Sequence, residues 1–438
     1  MNQMNDYITV IGAGIAGSEA AWQIAEKGIK VKLFEMKPIR KQAAHKSENF
    51  AELVCSNSLR GAGLENAPGL LKEELRLLES VFMAAADRHS VPAGGALAVD
   101  REEFSKDITE TIKNHPLIEV CYQEVELINK DQITIIATGP LTDGKMMEEI
   151  RKFAGDDQFY FYDAAAPIVS ADSVDYSKAY WASRYGKGTP DYLNCPMNRE
   201  EYDHFYRELI HADTVPVNEI DKEVFFEGCM PVEVMAKRGL KTLLFGPLKP
   251  VGLEHPETGE SYHAVVQLRK ENREGTLLNL VGFQTHLKWG EQKRVFQLIP
   301  GLEQAEFMRY GVMHRNSFIN SPKVLAEDSS LKEYPNLFFA GQITGVEGYI
   351  ESCASGLLAG RYAAAKFLDK KALSLPAETA TASLLRYITT SPSKNFQPMN
   401  INFGLLPKPE QKIKNKKERY LKISDNALKA LRDYVKEL

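Results

Sequence analysis

The run Gly12-Ala13-Gly14-Ile15-Ala16-Gly17 restricts what this chain can fold into more than any other stretch. It follows a short apolar segment, residues 7–11, and opens a segment, residues 15–27, whose small and apolar residues Ala16, Ala20, Ala21 and Ile24 share one side. Gly28 supplies a stop, and residues 31–35 form a second apolar run. Strand, glycine-rich turn, helix and strand predict a βαβ unit and therefore a parallel sheet. In such a turn Gly12 permits the tight reversal, Gly14 lets the backbone approach a pyrophosphate, and Gly17 lets the helix pack close to the sheet. Ala13, Ile15 and Ala16 complete the turn, and the helix N-terminus favours phosphate charge. Glu35 ends the second strand about twenty residues on, where a carboxylate accepts from ribose hydroxyls.

Two later segments point to FAD rather than NAD. Residues 133–139 predict a strand ending in Ala137-Thr138-Gly139, and residues 337–342 predict another ending in Ala340-Gly341-Gln342. Both resemble flavoprotein strands that return to the dinucleotide, and a helix over 348–367 would aim its N-terminus at the flavin ring. Elsewhere, Pro68 stands where a first helical residue belongs and helical periodicity runs over 70–86. Asp100 and Glu103 predict a capping box for a helix through Lys113. Residues 36–66 read as irregular, and a final helix is expected from Asp425. The stretch 171–309, rich in aromatic residues and Pro/Gly breaks, reads as an α+β insertion. The expected fold is α/β, a Rossmann-like FAD-binding domain with a parallel sheet plus that insertion. Its parts would be 1–170 and 310–370 for the cofactor, 171–309 for substrate, and a helical, basic segment at 371–438.

Composition narrows the setting. The 438 residues are 44% hydrophobic and 26% charged, as in ordinary soluble proteins. No apolar run is long enough to span a membrane, and the polar start at residues 1–7 is unlike a signal peptide. Five cysteines, odd in number and without a C-x-x-C pair, predict neither a metal site nor a disulfide framework, which fits a reducing cytoplasm. The net charge of −5 neither requires nor excludes nucleic acid. Two basic clusters stand out, from Lys37 through Arg40, Lys41 and His45 to Lys46, and from Lys408 to Lys422.

Two cysteines sit in suggestive surroundings. Cys229 precedes a helix that Pro231 would start and Gly239 would end, and a thiol at a helix N-terminus is favoured as the thiolate. Cys55 lies in the polar run 54–61. Cys121, Cys195 and Cys353 read as buried small residues. Glu347 and Tyr349, after the third glycine segment, would place an acid and a phenol beside the flavin, or simply form a turn and helix cap. Trp289 would stack on a flat ring or be half-buried core.

The segments GAGIAGSEAAW, LVCSNSLRG, EGCMPVEVMA and GQITGVEGYIESCASGLLAG resemble the bacterial folate- and FAD-dependent tRNA (uracil-5-)-methyltransferases, over essentially the whole chain. The glycine-rich late block is also similar to the glucose-inhibited division protein A flavoproteins. The resemblance implies transfer of the methylene of 5,10-methylenetetrahydrofolate to C5 of uridine 54 in the tRNA T loop, with NADPH or NADH reducing the flavin and tetrahydrofolate released. It implies Cys229 as nucleophile and Cys55 as the second functional cysteine, either removing the C5 proton or resolving the adduct. It makes both basic clusters candidates for tRNA contact. Alternatives are the same chemistry on a ribosomal RNA uridine, a non-catalytic FAD-bound tRNA-binding protein, or a plain NAD(P)H oxidase.

Overall fold

The computed structural model describes residues 6–42, 44–155, 158–215, 230–372, 374–394 and 396–437. Five parallel strands form the sheet predicted by the βαβ unit, in the order Leu337–Phe339, Thr134–Ile136, Tyr7–Ile11, Lys30–Glu35, Ile118–Tyr122. Strands Thr134–Ile136 and Leu337–Phe339 are buried throughout, whereas Lys30–Glu35 alternates buried and more exposed residues. The first helix, Ile15–Ala25, packs on the long helix Tyr349–Phe367. A Cβ at Gly356 would lie 2.2 Å from the Ala16 carbonyl, and one at Gly360 2.8 Å from that of Ala20, so these glycines set how closely the two helices approach.

A second sheet is antiparallel and six-stranded, in the order Tyr180–Ala182, Tyr192–Met197, Ala264–Lys270, Leu277–Leu280, Ile168–Ser170, Phe307–Arg309. Helices Arg199–His211 and Trp289–Phe296 bury Phe205 and Phe296 in its core, which is separate from that of the parallel sheet. Two small antiparallel sheets are also present among the described residues. One joins Ser58–Gly61, Ala96–Val99 and Ser90–Val91, and the other pairs Gln158–Ala164 with Met313–Ile319.

Three local expectations are corrected. The periodic stretch 70–86 is two helices, Ala67–Leu77 and Val81–Arg88. Glu79 adopts φ 60°, which ends the first, and the Ser80 side chain accepts from Met83 N to cap the second. The last helix is Lys416–Val435, beginning well before Asp425 because the Asn415 side chain caps it at Lys417 and Glu418. The region 36–66 is not wholly irregular, since Ser58–Gly61 is a strand. The Asp100 cap is present, accepting from Glu102 N and Glu103 N ahead of helix Arg101–Lys113.

Candidate functional site

A cavity of about 390 Å³ opens at the carboxyl ends of the parallel strands, where ligands bind in open α/β sheets. Gly12, Gly14, Ile15 and Ala16 line it. Gly12 has φ 98°, and a Cβ there would meet the Ala137 carbonyl at 2.6 Å. Gly17 lies behind the lining, where a Cβ would fall 1.8 Å from the Gly12 carbonyl. Gly14 is exposed with nothing within 4 Å of its Cβ position, so the backbone there is open to a ligand. Ala13 is buried, and its N–H donates to Glu35 Oε2 at 2.8 Å. The other Glu35 oxygen accepts from Lys37 N at 2.9 Å, which holds the carboxylate at the rim of the cavity.

The other two glycine segments reach the same cavity. Thr138 and Gly139 line it, and the Thr142 hydroxyl meets Thr138 Oγ1 and the Gly139 carbonyl, both at 2.7 Å. Gly341, Gln342 and Glu347 also line it, with Gln342 Nε2 donating to Glu347 Oε1 at 2.9 Å. Tyr349 opens the long helix there. Arg60 also lines the cavity and pairs with the buried Glu351, whose Oε1 accepts from Ile401 N at 2.9 Å.

Cys55 joins this wall, 2.9 Å from the Tyr349 oxygen. Its segment is clamped by residues that the sequence did not single out. Arg101 Nη1 donates to the Leu53 carbonyl at 2.7 Å and Arg309 Nη2 to the Val54 carbonyl at 2.5 Å. Arg101 also pairs with the buried Glu271 at 2.5 Å. The signal available for Arg269 was a charge inside the apolar strand Ala264–Lys270, where it is buried.

Cys229 lies outside the described residues. The chain after it is anchored near the cavity, since Val232 N donates to the carbonyl of Gln284, a lining residue, at 2.7 Å. Buried Glu233 accepts from Thr285 Oγ1 and His286 N, each at 2.8 Å. Trp289 is elsewhere. It is 61% exposed and stacks on Tyr310 at 5.6 Å, which stacks on Phe307 at 5.3 Å.

The first basic cluster is divided: Lys37 is buried and Arg40 is ion-paired, while Lys41 and Lys46 are exposed. Lys37 is buried and donates to the Asn49 carbonyl at 2.5 Å. Arg40 is paired with Glu124 and Asp143, and Lys41 with Glu48. Burial holds the His45 imidazole below its ordinary range. By contrast, Lys408, Lys412, Lys414, Lys416, Lys417 and Lys422 are exposed. Among the described residues, no cluster of three or more His, Cys, Asp or Glu is arranged to hold a metal ion, and no helix is long and apolar enough to cross a membrane.

The family model for glucose inhibited division protein A matches residues 7–371. A methylenetetrahydrofolate–tRNA-(uracil-5-)-methyltransferase, TrmFO, of Natranaerobius thermophilus is 63% identical over 428 residues, covering 98% of this chain and 99% of the relative. The chain belongs to the TrmFO family. A TrmFO of Listeria monocytogenes serotype 4b is 59% identical over 435 residues, 99% of this chain and 100% of its own length. The structure of Aquifex aeolicus GidA in its form II crystal superposes with a TM-score of 0.71 at 18% identity, over 98% of this chain and 73% of that one. That likeness shows a shared fold.

Proposed function

We propose that this chain transfers the methylene of 5,10-methylenetetrahydrofolate to C5 of uridine 54 in the tRNA T loop, giving 5-methyluridine. NADPH or NADH supplies the electrons, tetrahydrofolate is released, and the setting is the cytoplasm. The observation that carries this reading is the convergence of three glycine segments and Cys55 on one cavity. Family membership supports the same substrates.

The residues present fit FAD. Exposed Gly14 lets a pyrophosphate approach the backbone at the start of helix Ile15–Ala25, and Glu35 has lone pairs left for ribose hydroxyls beyond the two amides it accepts. Thr138, Gly139, Gly341 and Gln342 would enclose the rest. When bound, FAD supplies reducing equivalents and carries the one-carbon unit.

The protein prepares the uracil. Its C5 is a poor nucleophile, and a thiolate adding at C6 makes C5 enolate-like. We assign that addition to Cys229 and removal of the C5 proton to Cys55. The base lies in a folded loop, so it must be flipped out to reach the cavity. Glu347 and Tyr349, which line the cavity together with Gln284 of the 171–309 stretch, would border its path, and the exposed lysines from Lys408 to Lys422 would meet the RNA backbone.

Incubation of unmodified tRNA with labelled methylenetetrahydrofolate and NADPH, followed by mass spectrometry of T-loop nucleosides, tests the function. Label at C5 of uridine 54 is expected. Unlabelled tRNA overturns the reading, and label in a ribosomal RNA transcript instead of tRNA redirects it.

A further inference from the structure

Tyr349 stands with its ring at the cavity and its hydroxyl end enclosed by the Cys55 segment. The phenol oxygen accepts the N–H of Cys55 at 2.8 Å and that of Ser56 at 3.3 Å. Cys55 Sγ lies 2.9 Å from the same oxygen. A phenol has one proton to give and a limited set of lone pairs. Two backbone amides occupy its accepting side, so its own proton is the one left to bridge to sulfur. A sulfur that accepts a hydrogen bond is favoured in its charged form.

The charges around Cys55 favour the same state. Arg101 comes from helix Arg101–Lys113, Arg309 from strand Phe307–Arg309, and Glu271 from the end of strand Ala264–Lys270. Arg309 faces Arg101, Tyr349, Glu271 and Cys55 together. Arg269 reaches the next residue, donating to Ser56 Oγ at 3.2 Å. Among the described residues, these three guanidiniums outnumber the one carboxylate, Glu271, and leave the surroundings positive. Burial, with Cys55 beside it, pushes the Tyr349 phenol well above its usual range, so it stays protonated and remains the donor.

We propose that Tyr349 is the positioning residue that holds Cys55 as a thiolate at neutral pH, giving its O–H to Sγ while its oxygen clamps the Cys55 and Ser56 amides. The inference rests on the reading of Cys55 as the base that acts at uracil C5. In that step Sγ takes the C5 proton, a new S–H bond forms, and the pair from the broken C–H bond stays in the ring. The phenol proton does not leave oxygen, so Tyr349 is unchanged by turnover.

The test is alkylation of the FAD-bound protein by iodoacetamide across a pH series, read for the Cys55 peptide by mass spectrometry, with no RNA or folate present. Wild-type Cys55 is expected to titrate clearly below the ordinary thiol value of about 8.5. Tyr349→Phe is expected to move that titration upward and to slow Cys55 alkylation at about pH 7 by roughly 10- to 100-fold, the change expected from a hydrogen bond to a charged group. Half-buried Cys121 serves as the internal control, with an unchanged rate. A Tyr349→Phe profile that matches the wild type overturns the proposal. So does a wild-type Cys55 that titrates at the ordinary value, and this result stands even if the variant loses its flavin. Because the measurement needs no substrate, a protein that fails to methylate tRNA overturns the function and leaves the Cys55 titration as a separate result.

Discussion

The Arg269 guanidinium donates to Asn57 Oδ1 at 2.7 Å, joining residues 212 positions apart. The same Asn57, fully buried, donates through Nδ2 to the carbonyls of Val99, Lys270 and Glu271 at 3.0, 3.2 and 3.1 Å. One side chain thus ties the segment carrying Cys55 both to the small sheet and to the six-stranded sheet. Replacing it leaves a buried guanidinium and several carbonyls without that partner. Asn57→Ala is expected to cost about 3 kcal/mol, seen as a lower urea midpoint. Turnover should fall further than flavin binding, because the loosened segment carries Cys55. A variant with wild-type midpoint and turnover would show that the tie does not position the site.

The glycines of the first turn have different duties, and alanine separates them. Gly17→Ala puts a Cβ 1.8 Å from the Gly12 carbonyl, so the first helix must move off the sheet. It is expected to lose about 3 kcal/mol of stability. Gly14→Ala meets nothing within 4 Å and should keep the wild-type midpoint. Its methyl group projects where a pyrophosphate would approach, so the dissociation constant for FAD should rise at least about tenfold, or 1.4 kcal/mol. Flavin fluorescence titration of both variants checks the contrast, and equal flavin affinity for Gly14→Ala and wild type would remove the pyrophosphate from this turn.

Glu74 gives the fold a pH dependence remote from the site. It is buried, and its carboxylate accepts from Ala380 N at 2.7 Å, Thr381 N at 2.8 Å and Thr381 Oγ1 at 2.7 Å, at the start of helix Ala380–Thr390. Burial outweighs these bonds and pushes its carboxyl from 4.5 up to about 7. Below 4.5 it is protonated in folded and unfolded chains alike. As pH rises from 4.5 to about 7, only the unfolded chain ionises, so the stability present at low pH is lost. That loss amounts to at most about 3 kcal/mol. The stability of wild type relative to Glu74→Gln should therefore be lower at about pH 8 than at about pH 5. An equal difference at both pH values, from urea melts, would contradict the raised carboxyl.

The two basic clusters should respond differently to tRNA. Lys412, Lys414, Lys416 and Lys417 are exposed and, among the described residues, are not paired with carboxylates. Changing all four to Ala should weaken tRNA binding and lower the slope of log affinity against log salt by about 3. Arg40 is already paired with Glu124 and Asp143, so Arg40→Gln should leave that slope unchanged. Filter binding over a salt series distinguishes them, and a quadruple variant with wild-type affinity would exclude the C-terminal lysines as RNA contacts.

By itself, the sequence determined the parallel sheet, the glycine turn, the place of Glu35 and the direction of the long helix at Tyr349. These rest on short-range rules, since a strand, a turn and a helix within some thirty residues leave their periodicity and their glycines in plain order. The same rules failed at Glu79, where a left-handed residue splits one periodic run into two helices, and at Asn415, whose cap starts the last helix early. Only the tertiary structure decided that Lys37 is buried and Arg40 is ion-paired, that Trp289 stacks on Tyr310 away from the cavity, and that Arg101, Arg269 and Arg309 converge on the Cys55 segment. Cys55 and Tyr349 are 294 positions apart, and no pattern of spacing relates them. Their meeting depends on how two sheets and a helix pack, because a side-chain hydrogen bond acts over a few ångströms and is formed only once packing has brought its partners together.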